Sequence, residues 1–212
     1  MISSILHLVY PALCIYCKEL LISHQKLLCP KCTDLLTLLD AEQRCSKCFK
    51  ESLLKVCKEC QKRPSHYLKL GACFEHFGPA AALTSEFTHR LYLDQSLSSW
   101  LVVQMDKMAF PLPDLIVPFP HTFADKVLEG YNRAHLLAKR VGELYQCPVK
   151  DLLGRTEDHQ FYWRCTADIS DQIVLLVVET INEVETIAQC TEVIQEGFPK
   201  AIYVIAFTLT AL

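Results

Sequence analysis

From about residue 70 onward, short apolar runs alternate along the chain with longer amphipathic segments. The apolar runs predict strands at Leu70–His76, Asp114–Pro118, Ile173–Val178 and Ala201–Phe207. The amphipathic segments predict helices near Leu83–Met108, Leu128–Tyr145 and Glu183–Glu196. Strands that alternate with helices are typical of an α/β domain with a mainly parallel sheet, so we predict that fold class.

The last predicted helix has the clearest pattern. Its apolar face is formed by Ile187, Cys190, Thr191 and Ile194. Gly197 follows as a stop signal. Asn182 and Glu185 have the spacing of a capping box, which predicts that the helix begins between them.

The first sixty-odd residues lack this alternation and contain most of the cysteines instead. Eight of the twelve cysteines form four Cys-x-x-Cys pairs: Cys14/Cys17, Cys29/Cys32, Cys45/Cys48 and Cys57/Cys60. Two such pairs complete a tetrahedral zinc site. Pairing neighbours predicts one site from Cys14, Cys17, Cys29 and Cys32 and a second from Cys45, Cys48, Cys57 and Cys60. A cross-braced arrangement remains an alternative.

Ligand sets made only of cysteine leave no position open for water, so we expect two structural zinc ions. A redox-active Cys-x-x-Cys would occur singly, at a helix start in a thioredoxin-like pattern that this segment does not have. The other four cysteines stand alone and are expected to be small core residues: Cys73, Cys147, Cys165 and Cys190.

We expect a cytoplasmic protein, because the sequence begins without the basic, apolar and small-residue pattern of a signal peptide. No apolar run approaches the ~20 residues of a membrane span, so no membrane insertion is expected. About half of the 212 residues are hydrophobic, which is enough for a sizeable core. We predict two domains, at residues 1–66 and 67–212.

Charge is distributed unevenly between these two parts. Residues 1–69 contain 11 Lys and Arg against 6 Asp and Glu, whereas residues 70–212 contain 10 against 18. A basic segment suggests contact with nucleic acid. Each tetrathiolate zinc site carries a charge of about -2, however, and nearly cancels the surplus. Lys18, Lys31, Lys47 and Lys58 therefore either compensate thiolate charge or contact DNA.

The segment Val178–Thr186 follows a predicted strand, at the sheet edge where α/β domains bind ligands. A phosphate site there needs glycine and free backbone amides, but this segment contains no glycine. Glu183 and Glu185 stabilise a helix start. They would also repel a phosphate by about 4 kcal/mol per charge pair at 4 Å and an effective dielectric constant of ~20.

Several short motifs follow the cysteine pairs in a fixed order. They are Val117-Pro118-Phe119-Pro120, Gly130-Tyr131-Asn132, Arg155-Thr156 with Gln160, and Val174-Leu175-Leu176-Val177. With the cysteine array they resemble the ComF (ComFC) family over nearly the whole chain. The resemblance implies a double zinc ribbon joined to a type I phosphoribosyltransferase-like domain, associated with natural competence and the handling of transforming single-stranded DNA.

The family's phosphoribosyl pyrophosphate (PRPP) loop reads roughly Val-Asp-Asp-Val-x-Thr-Thr-Gly-Ala-Thr. The resemblance places it on Val178, Glu179, Asn182, Glu183, Val184, Glu185 and Thr186. Only Glu179 and Thr186 match in kind, and Glu179 is the vestigial catalytic candidate. Glu129 also replaces the arginine that precedes Gly-Tyr-Asn. This degenerate loop predicts that PRPP and magnesium are not bound and that transferase activity is lost or weak.

Three functions remain as hypotheses. The first is a ComF-like competence protein that binds single-stranded DNA or DNA-processing proteins. The second is an active PRPP-dependent phosphoribosyltransferase, with Glu179 in place of an aspartate. The third is a non-enzymatic adaptor whose zinc ribbons dock onto a helicase or another competence protein.

A few other side chains are candidates for a site. His121 and His159 are the best placed for a strand-end pocket, although surface or core roles are the simpler interpretation. Tyr131 and Trp163 could stack on bases. The helix after Tyr131 contains a compact basic cluster, interpreted as a solvated face: Arg133, Lys139 and Arg140.

Overall fold

The computed structural model describes residues 11–21, 27–63, 65–122, 124–125, 127, 130–165 and 167–210. Two short helices belong to the cysteine-rich part, α1 (Pro30–Asp34) and α2 (Lys58–Lys62). The rest contains β1 (Lys69–Glu75), α3 (Gly78–Phe87), α4 (Asp94–Lys107), β2 (Leu115–Pro118), α5 (Arg133–Tyr145), β3 (Leu153–Arg155), β4 (Phe161–Trp163), β5 (Ile173–Ile181), α6 (Val184–Gln195) and β6 (Ala201–Leu209).

Four of the strands form one parallel sheet in the order β1-β6-β5-β2. The central strands β5 and β6 are buried along most of their length, which explains their nearly continuous apolar sequences. β3 and β4 form a separate antiparallel hairpin that the sequence did not predict. The predicted fold class is confirmed: a mixed α/β architecture with a mainly parallel sheet follows two four-cysteine clusters.

Two hydrophobic cores contain residues from both the cysteine-rich part and the α/β part. One contains Cys14, Leu28, Cys29 and Cys32 together with residues of α3, α4 and α5. The other contains Phe49 and Tyr67 together with residues of α6. The boundary expected between residues 66 and 67 stays a prediction, and the two parts share both cores.

The cysteine-rich part covers the outer edge of β1. The Leu39 amide donates to the Cys73 carbonyl at 2.9 Å, and the Leu70 amide donates to the Ser46 carbonyl at 2.9 Å. The buried Gln104 amide nitrogen donates to the carbonyls of Leu39 and Ala72, each at 3.0 Å. Backbone hydrogen-bonding groups of this edge strand thus find partners within the chain.

The helix predicted at Leu83–Met108 is wrong as a single element, because the chain forms α3 and α4 with a 3-10 turn at Leu91–Leu93 between them. The helix is interrupted at Arg90, whose backbone angles of φ -129 and ψ 83 are not helical. The Tyr131 hydroxyl also donates to the carbonyls of Phe87 and Thr88, which therefore need no further helical turn.

Two helices also begin at residues other than those predicted. The helix predicted from Leu128 begins at Arg133, because the Asn132 side chain caps it by accepting from the His135 amide at 3.2 Å. Leu128 itself lies outside the described residues. The capping box predicted at Asn182 and Glu185 is wrong: Glu183 is the N-cap, and no side chain caps α6.

The predicted apolar face of α6 is confirmed, since Ile187, Cys190, Thr191 and Ile194 are its buried residues. In the described part of the chain, no helix has both the length and the apolar character needed to cross a membrane.

Candidate functional site

The eight cysteines of the four pairs come together as two clusters of four. Cys14, Cys17, Cys29 and Cys32 form the first cluster, and Cys45, Cys48, Cys57 and Cys60 form the second. In each cluster the four sulfurs lie within 4.8 Å of one another. Neighbouring pairs thus share a cluster, as in the sequential alternative.

The sulfur geometry fits a tetrahedral zinc ion. Zinc–sulfur bonds of about 2.3 Å place the sulfurs of a tetrahedral site about 3.8 Å apart. The Cys17 and Cys29 sulfurs are separated by 3.6 Å, and the Cys48 and Cys57 sulfurs by 3.8 Å. Both clusters could therefore hold zinc.

The first pair of each cluster lies in the same kind of turn. The Lys18 amide donates to the Cys14 carbonyl at 3.0 Å, and the Phe49 amide donates to the Cys45 carbonyl at 2.9 Å. Lys18 and Phe49 both adopt a left-handed backbone, with φ of 63 and 61. The two clusters are thus repeats of one local structure.

The second pair of each cluster lies at the start of a short helix. Cys29 is the N-cap of α1, and Cys57 is the N-cap of α2. Their amides donate to the first sulfur of the cluster, from Cys29 to Cys14 at 3.4 Å and from Cys57 to Cys45 at 3.2 Å. Such N–H···S bonds favour the thiolate, which is the form that binds metal.

The same hydrogen bonds affect the acidity of the first cysteine in each cluster. Burial by itself raises the pKa of Cys14, but the amides of Cys17 and Cys29 outweigh it and lower the pKa to about 6. In Cys45 burial is likewise outweighed by the amides of Cys57 and Cys48, and the pKa falls to about 7. These two sulfurs are the best prepared to bind a cation.

The four lysines beside the cysteine pairs have different environments. Lys31 pairs with Glu19 at 3.1 Å, and Lys18 donates to the Ile15 carbonyl at 3.0 Å. Lys47 donates to the Tyr67 carbonyl. Lys58 is exposed and has no acidic partner among the described residues. Of the four, Lys58 is the one that faces solvent without an internal contact.

The single cysteines follow the prediction in two of four cases. Cys73 and Cys190 are fully buried in the cores, as expected. Cys147 is partly buried, and Cys165 is exposed, so the prediction of a core position is wrong for Cys165. It follows the short strand β4, whose neighbouring residues Tyr162 and Arg164 are also exposed.

The second candidate site is a cavity of about 490 Å³ at the carboxyl ends of the parallel strands, here called the strand-end pocket. Its wall includes residues from β5, α3 and the start of α5, and Arg155 of β3. The polar side chains of the wall are His76, Thr84, Ser85, Thr88, His121, Asp125, Arg133, Arg155, Glu179, Thr180 and Asn182.

An ion pair spans the strand-end pocket. The Arg133 Nη1 lies 3.2 Å from the Glu179 Oε1, and both side chains are largely buried. Arg133 also donates to the Thr88 hydroxyl at 2.8 Å. Glu179, the vestigial catalytic candidate, is thus held beside a cation from α5 at the pocket wall.

The segment that the resemblance aligns with the PRPP loop is divided between two surfaces. Val178, Glu179 and Asn182 line the strand-end pocket, whereas Glu183, Val184 and Glu185 line a different cavity beside Cys48 and Cys60. The Thr186 hydroxyl is 3.5 Å from the Glu183 carboxylate. The structure therefore does not bring these seven residues to one site.

The connection between strand and helix is also very short at this point. β5 continues to Ile181, which pairs with Leu209 of β6, and α6 begins at Val184. Only Asn182 and Glu183 connect the two elements. The connection contains no glycine, the residue that lets a backbone approach a phosphate closely.

Three polar side chains that the sequence did not indicate meet at the carboxyl ends of β1, β6 and β5. The Thr208 Oγ1 lies 3.1 Å from the His76 Nδ1 and 2.8 Å from the Thr180 Oγ1. Thr208 is fully buried, whereas His76 and Thr180 line the strand-end pocket. Only the strand order β1-β6-β5 makes them neighbours.

Asp125 is a second carboxylate in the strand-end pocket. It accepts from the Thr122 amide at 3.0 Å, while its own amide donates to the Thr122 hydroxyl at 3.1 Å. This reciprocal pair is a capping box. Burial raises the pKa of Asp125, but the hydrogen bonds from Thr122, together with electrostatic attraction to His121 and Arg155, outweigh it and hold the pKa below its usual value. Asp125 is therefore charged at neutral pH.

The remaining candidate residues do not lie together in the structure. Of the two candidate histidines, His121 lines the strand-end pocket, whereas His159 is an exposed residue in the turn of the β3–β4 hairpin. Arg133 faces the pocket, and Arg140 pairs with Asp94 at 2.7 Å. The basic residues after Tyr131 therefore do not form one cluster. Glu129 lies outside the described residues.

No protein-family model and no curated protein sequence matches the chain. Among solved structures, the chain is similar to a purine phosphoribosyltransferase from Pyrococcus horikoshii, with a TM-score of 0.40 and 12% sequence identity. The similarity covers 57% of this chain and 85% of that one.

Proposed function

We propose that this is a ComF-like protein in which a double zinc ribbon handles single-stranded DNA, beside a phosphoribosyltransferase-like domain that no longer uses PRPP. We infer the loss of PRPP use from the short connection between β5 and α6, which consists of Asn182 and Glu183. Zinc is the metal proposed for both clusters because four thiolates in tetrahedral reach suit it.

Charge in the strand-end pocket supports the same proposal. The positive charge of Arg133 is offset by Glu179 at 3.2 Å, and the Asp125 carboxylate adds a negative charge to the same wall. A pyrophosphate group carries several negative charges and needs a surplus of cations or backbone amides. The wall offers two arginines against two carboxylates, which favours ligands of small charge.

The surface proposed to bind DNA lies on α2 and the loop before it, beside the second four-cysteine cluster. Lys55, Lys58 and Lys62 are all exposed, and none has an acidic partner among the described residues. Lys58 and Lys62 are four residues apart on α2 and therefore share one face of it. Unpaired cations on one face attract a phosphate backbone without regard to base sequence.

Two binding measurements test this function. Calorimetry with PRPP and magnesium should give no saturable binding in the micromolar range, and saturable binding would overturn the loss of PRPP use. Fluorescence anisotropy with a labelled single strand should show binding that weakens steadily as salt rises. Absence of binding even at low salt would overturn the DNA function.

A matched pair of variants locates the DNA contact. Replacing Lys55, Lys58 and Lys62 together by glutamine should weaken DNA binding and flatten its salt dependence. Replacing the exposed lysines Lys107, Lys139 and Lys200 of the α/β part removes the same charge and should change binding far less. Equal losses in both variants would indicate an effect of net charge alone.

One observation favours the adaptor as a second candidate function. Leu53 is fully exposed, and Leu54 is 47% exposed next to it. Their loop is held firmly, because the Ser52 amide donates to the Gln43 carbonyl and the Ser46 amide donates to the Lys55 carbonyl. A leucine displayed on an ordered loop is suited to a protein partner. Salt-independent capture of a helicase without DNA binding would favour this candidate.

A further inference from the structure

Arg155 places a guanidinium in the wall of the strand-end pocket, where it attracts the Asp125 carboxylate electrostatically but donates no side-chain hydrogen bond to any described residue. It is the last residue of β3, and its side chain lines the cavity. Its Nε–H is buried and donates to no acceptor among the described residues. A guanidinium has five N–H donors, and a buried donor without an acceptor is costly.

Most of the other arginines differ in this respect. Arg44 binds Glu75 at 2.9 Å, Arg63 binds Glu185 at 2.7 Å, and Arg140 binds Asp94 at 2.7 Å. Arg90 binds Glu86 in the same way. Arg164 has no such partner among the described residues, but it is exposed to water. Arg155 combines partial burial with unused donors.

Two aromatic rings hold the Arg155 guanidinium in place. Its central carbon lies 5.7 Å from the centre of the Phe119 ring and 5.4 Å from that of Phe161. The two ring centres are 5.5 Å apart, so the three groups form a nearly equilateral triangle. Aromatic rings stabilise the charge of a guanidinium but accept none of its in-plane hydrogen bonds. The donors remain available to a ligand.

The charges around Arg155 limit what that ligand can be. Arg133 and Glu179 already form an ion pair at 3.2 Å, and Asp125 contributes a further negative charge to the wall. A ligand with several negative charges would meet two carboxylates. A ligand with one negative charge can pair with Arg155 while the ion pair stays intact.

We propose that the strand-end pocket binds a small planar monocarboxylate, whose two oxygens accept parallel hydrogen bonds from Arg155. The planar fork of a guanidinium matches a carboxylate in this two-point geometry. Phe119, Val178 and Ala134 supply apolar surface for the rest of the ligand. The cavity of about 490 Å³ is within the usual range for small-molecule sites.

The test uses benzoate, with benzamide as a neutral ligand of the same shape. Ligand-observed NMR titration of the full chain should give saturable binding of benzoate, about tenfold or more tighter than benzamide. Equal affinity of the two ligands, or no saturable binding of benzoate, would overturn the proposal. This comparison needs no altered protein, so it does not depend on the folding of any variant.

Variants then assign the contact to Arg155. Arg155→Gln should abolish the preference for benzoate over benzamide, and Arg155→Lys should keep only part of it because lysine lacks the planar fork. The control Arg140→Gln removes an arginine that is paired outside the pocket and should bind benzoate like the unaltered protein. Benzoate binding that survives Arg155→Gln would contradict the assignment.

Two further ligands test the class of anion. Inorganic phosphate should bind more weakly than benzoate, because its second charge is repelled by Asp125 and Glu179. Tighter binding of phosphate than of benzoate would overturn the proposed ligand class. PRPP binding through Arg155 would contradict both this proposal and the proposed loss of PRPP use, whereas failure of benzoate alone would leave the latter standing.

Discussion

An ion pair between Arg63 and Glu185 connects the part of the chain around the second four-cysteine cluster to the start of α6. The Arg63 Nη1 donates to both carboxylate oxygens of Glu185, at 2.7 and 3.0 Å. Arg63 follows α2, which contains Cys60, and Glu185 is the second residue of α6. The second half of the segment that resembles a PRPP loop is thus tied to the second four-cysteine cluster, whereas Glu179 and Asn182 of its first half line the strand-end pocket.

This ion pair should contribute little to stability. Its side chains are 70% and 64% exposed, and exposed pairs contribute about 0.2–1 kcal/mol. We expect Arg63→Gln to lower the free energy of unfolding by less than about 1 kcal/mol in urea denaturation. The matched comparison is Arg44→Gln.

Arg44 should matter more, because its side chain is only 10% exposed. It binds Glu75 at 2.9 Å, donates to the Phe49 carbonyl at 3.0 Å and stacks over the Phe49 ring. Its loss leaves a buried carbonyl without a donor, which costs about 1–3 kcal/mol. Similar losses for Arg44→Gln and Arg63→Gln would show that burial does not separate the two pairs.

The Arg133–Glu179 pair should behave as a partly buried unit. Its side chains are 19% and 10% exposed. Removal of one partner therefore leaves the other side chain as a charge that water solvates poorly. We expect Glu179→Leu to destabilise the fold by about 3 kcal/mol and the double variant Arg133→Met with Glu179→Leu to recover most of that loss. Thermal and urea unfolding of the three proteins measure it, and additive losses would contradict the coupling.

The sequence predicted the strands of the main sheet well, because the predicted apolar runs Ile173–Val178 and Ala201–Phe207 form most of β5 and β6. Both strands continue beyond these runs, to Ile181 and Leu209. The sequence did not predict the β3–β4 hairpin, whose strands have three residues each. So short a strand has no periodicity to detect. The break between α3 and α4 was missed because one of the groups that stabilise it, the Tyr131 hydroxyl, lies far along the chain.

The candidate site was predicted to different extents in its two parts. The spacing within each Cys-x-x-Cys pair is visible in the sequence, which therefore indicated the eight clustered cysteines and, as one of two alternatives, which pairs share a cluster. The strand-end pocket depends on strand order. His76, Thr180 and Thr208 are distant in sequence and meet only because β6 lies between β1 and β5. Arg155 comes from the unpredicted hairpin.

Gln104 should be a strong determinant of the contact between the cysteine-rich part and β1. It is fully buried, and its amide nitrogen donates to the carbonyls of Leu39 and Ala72. Gln104→Met fills similar space but leaves both carbonyls without this donor, so we expect a loss of about 2–4 kcal/mol. The exposed Gln95 of the same helix provides the control, because Gln95→Met should change the free energy of unfolding by less than about 0.5 kcal/mol.

Each four-cysteine cluster should bind one zinc ion independently. Cys14→Ser and Cys45→Ser remove the first sulfur of one cluster each, and three thiolates and a hydroxyl bind zinc far more weakly than four thiolates. We expect about two zinc ions per unaltered chain and about one per variant. Elemental analysis of the purified proteins measures this, with Cys165→Ser as the control because that cysteine is exposed and belongs to neither cluster.

Loss of either ion should also weaken the α/β part, because the two clusters reach different cores. Cys14, Cys29 and Cys32 belong to the core that contains residues of α3, α4 and α5, while Phe49, next to Cys48, belongs to the core beneath α6. A chelator should therefore lower the melting temperature of the whole chain in one cooperative transition. A zinc-free chain that melts at the same temperature as the zinc-loaded one would show that the clusters do not support the sheet.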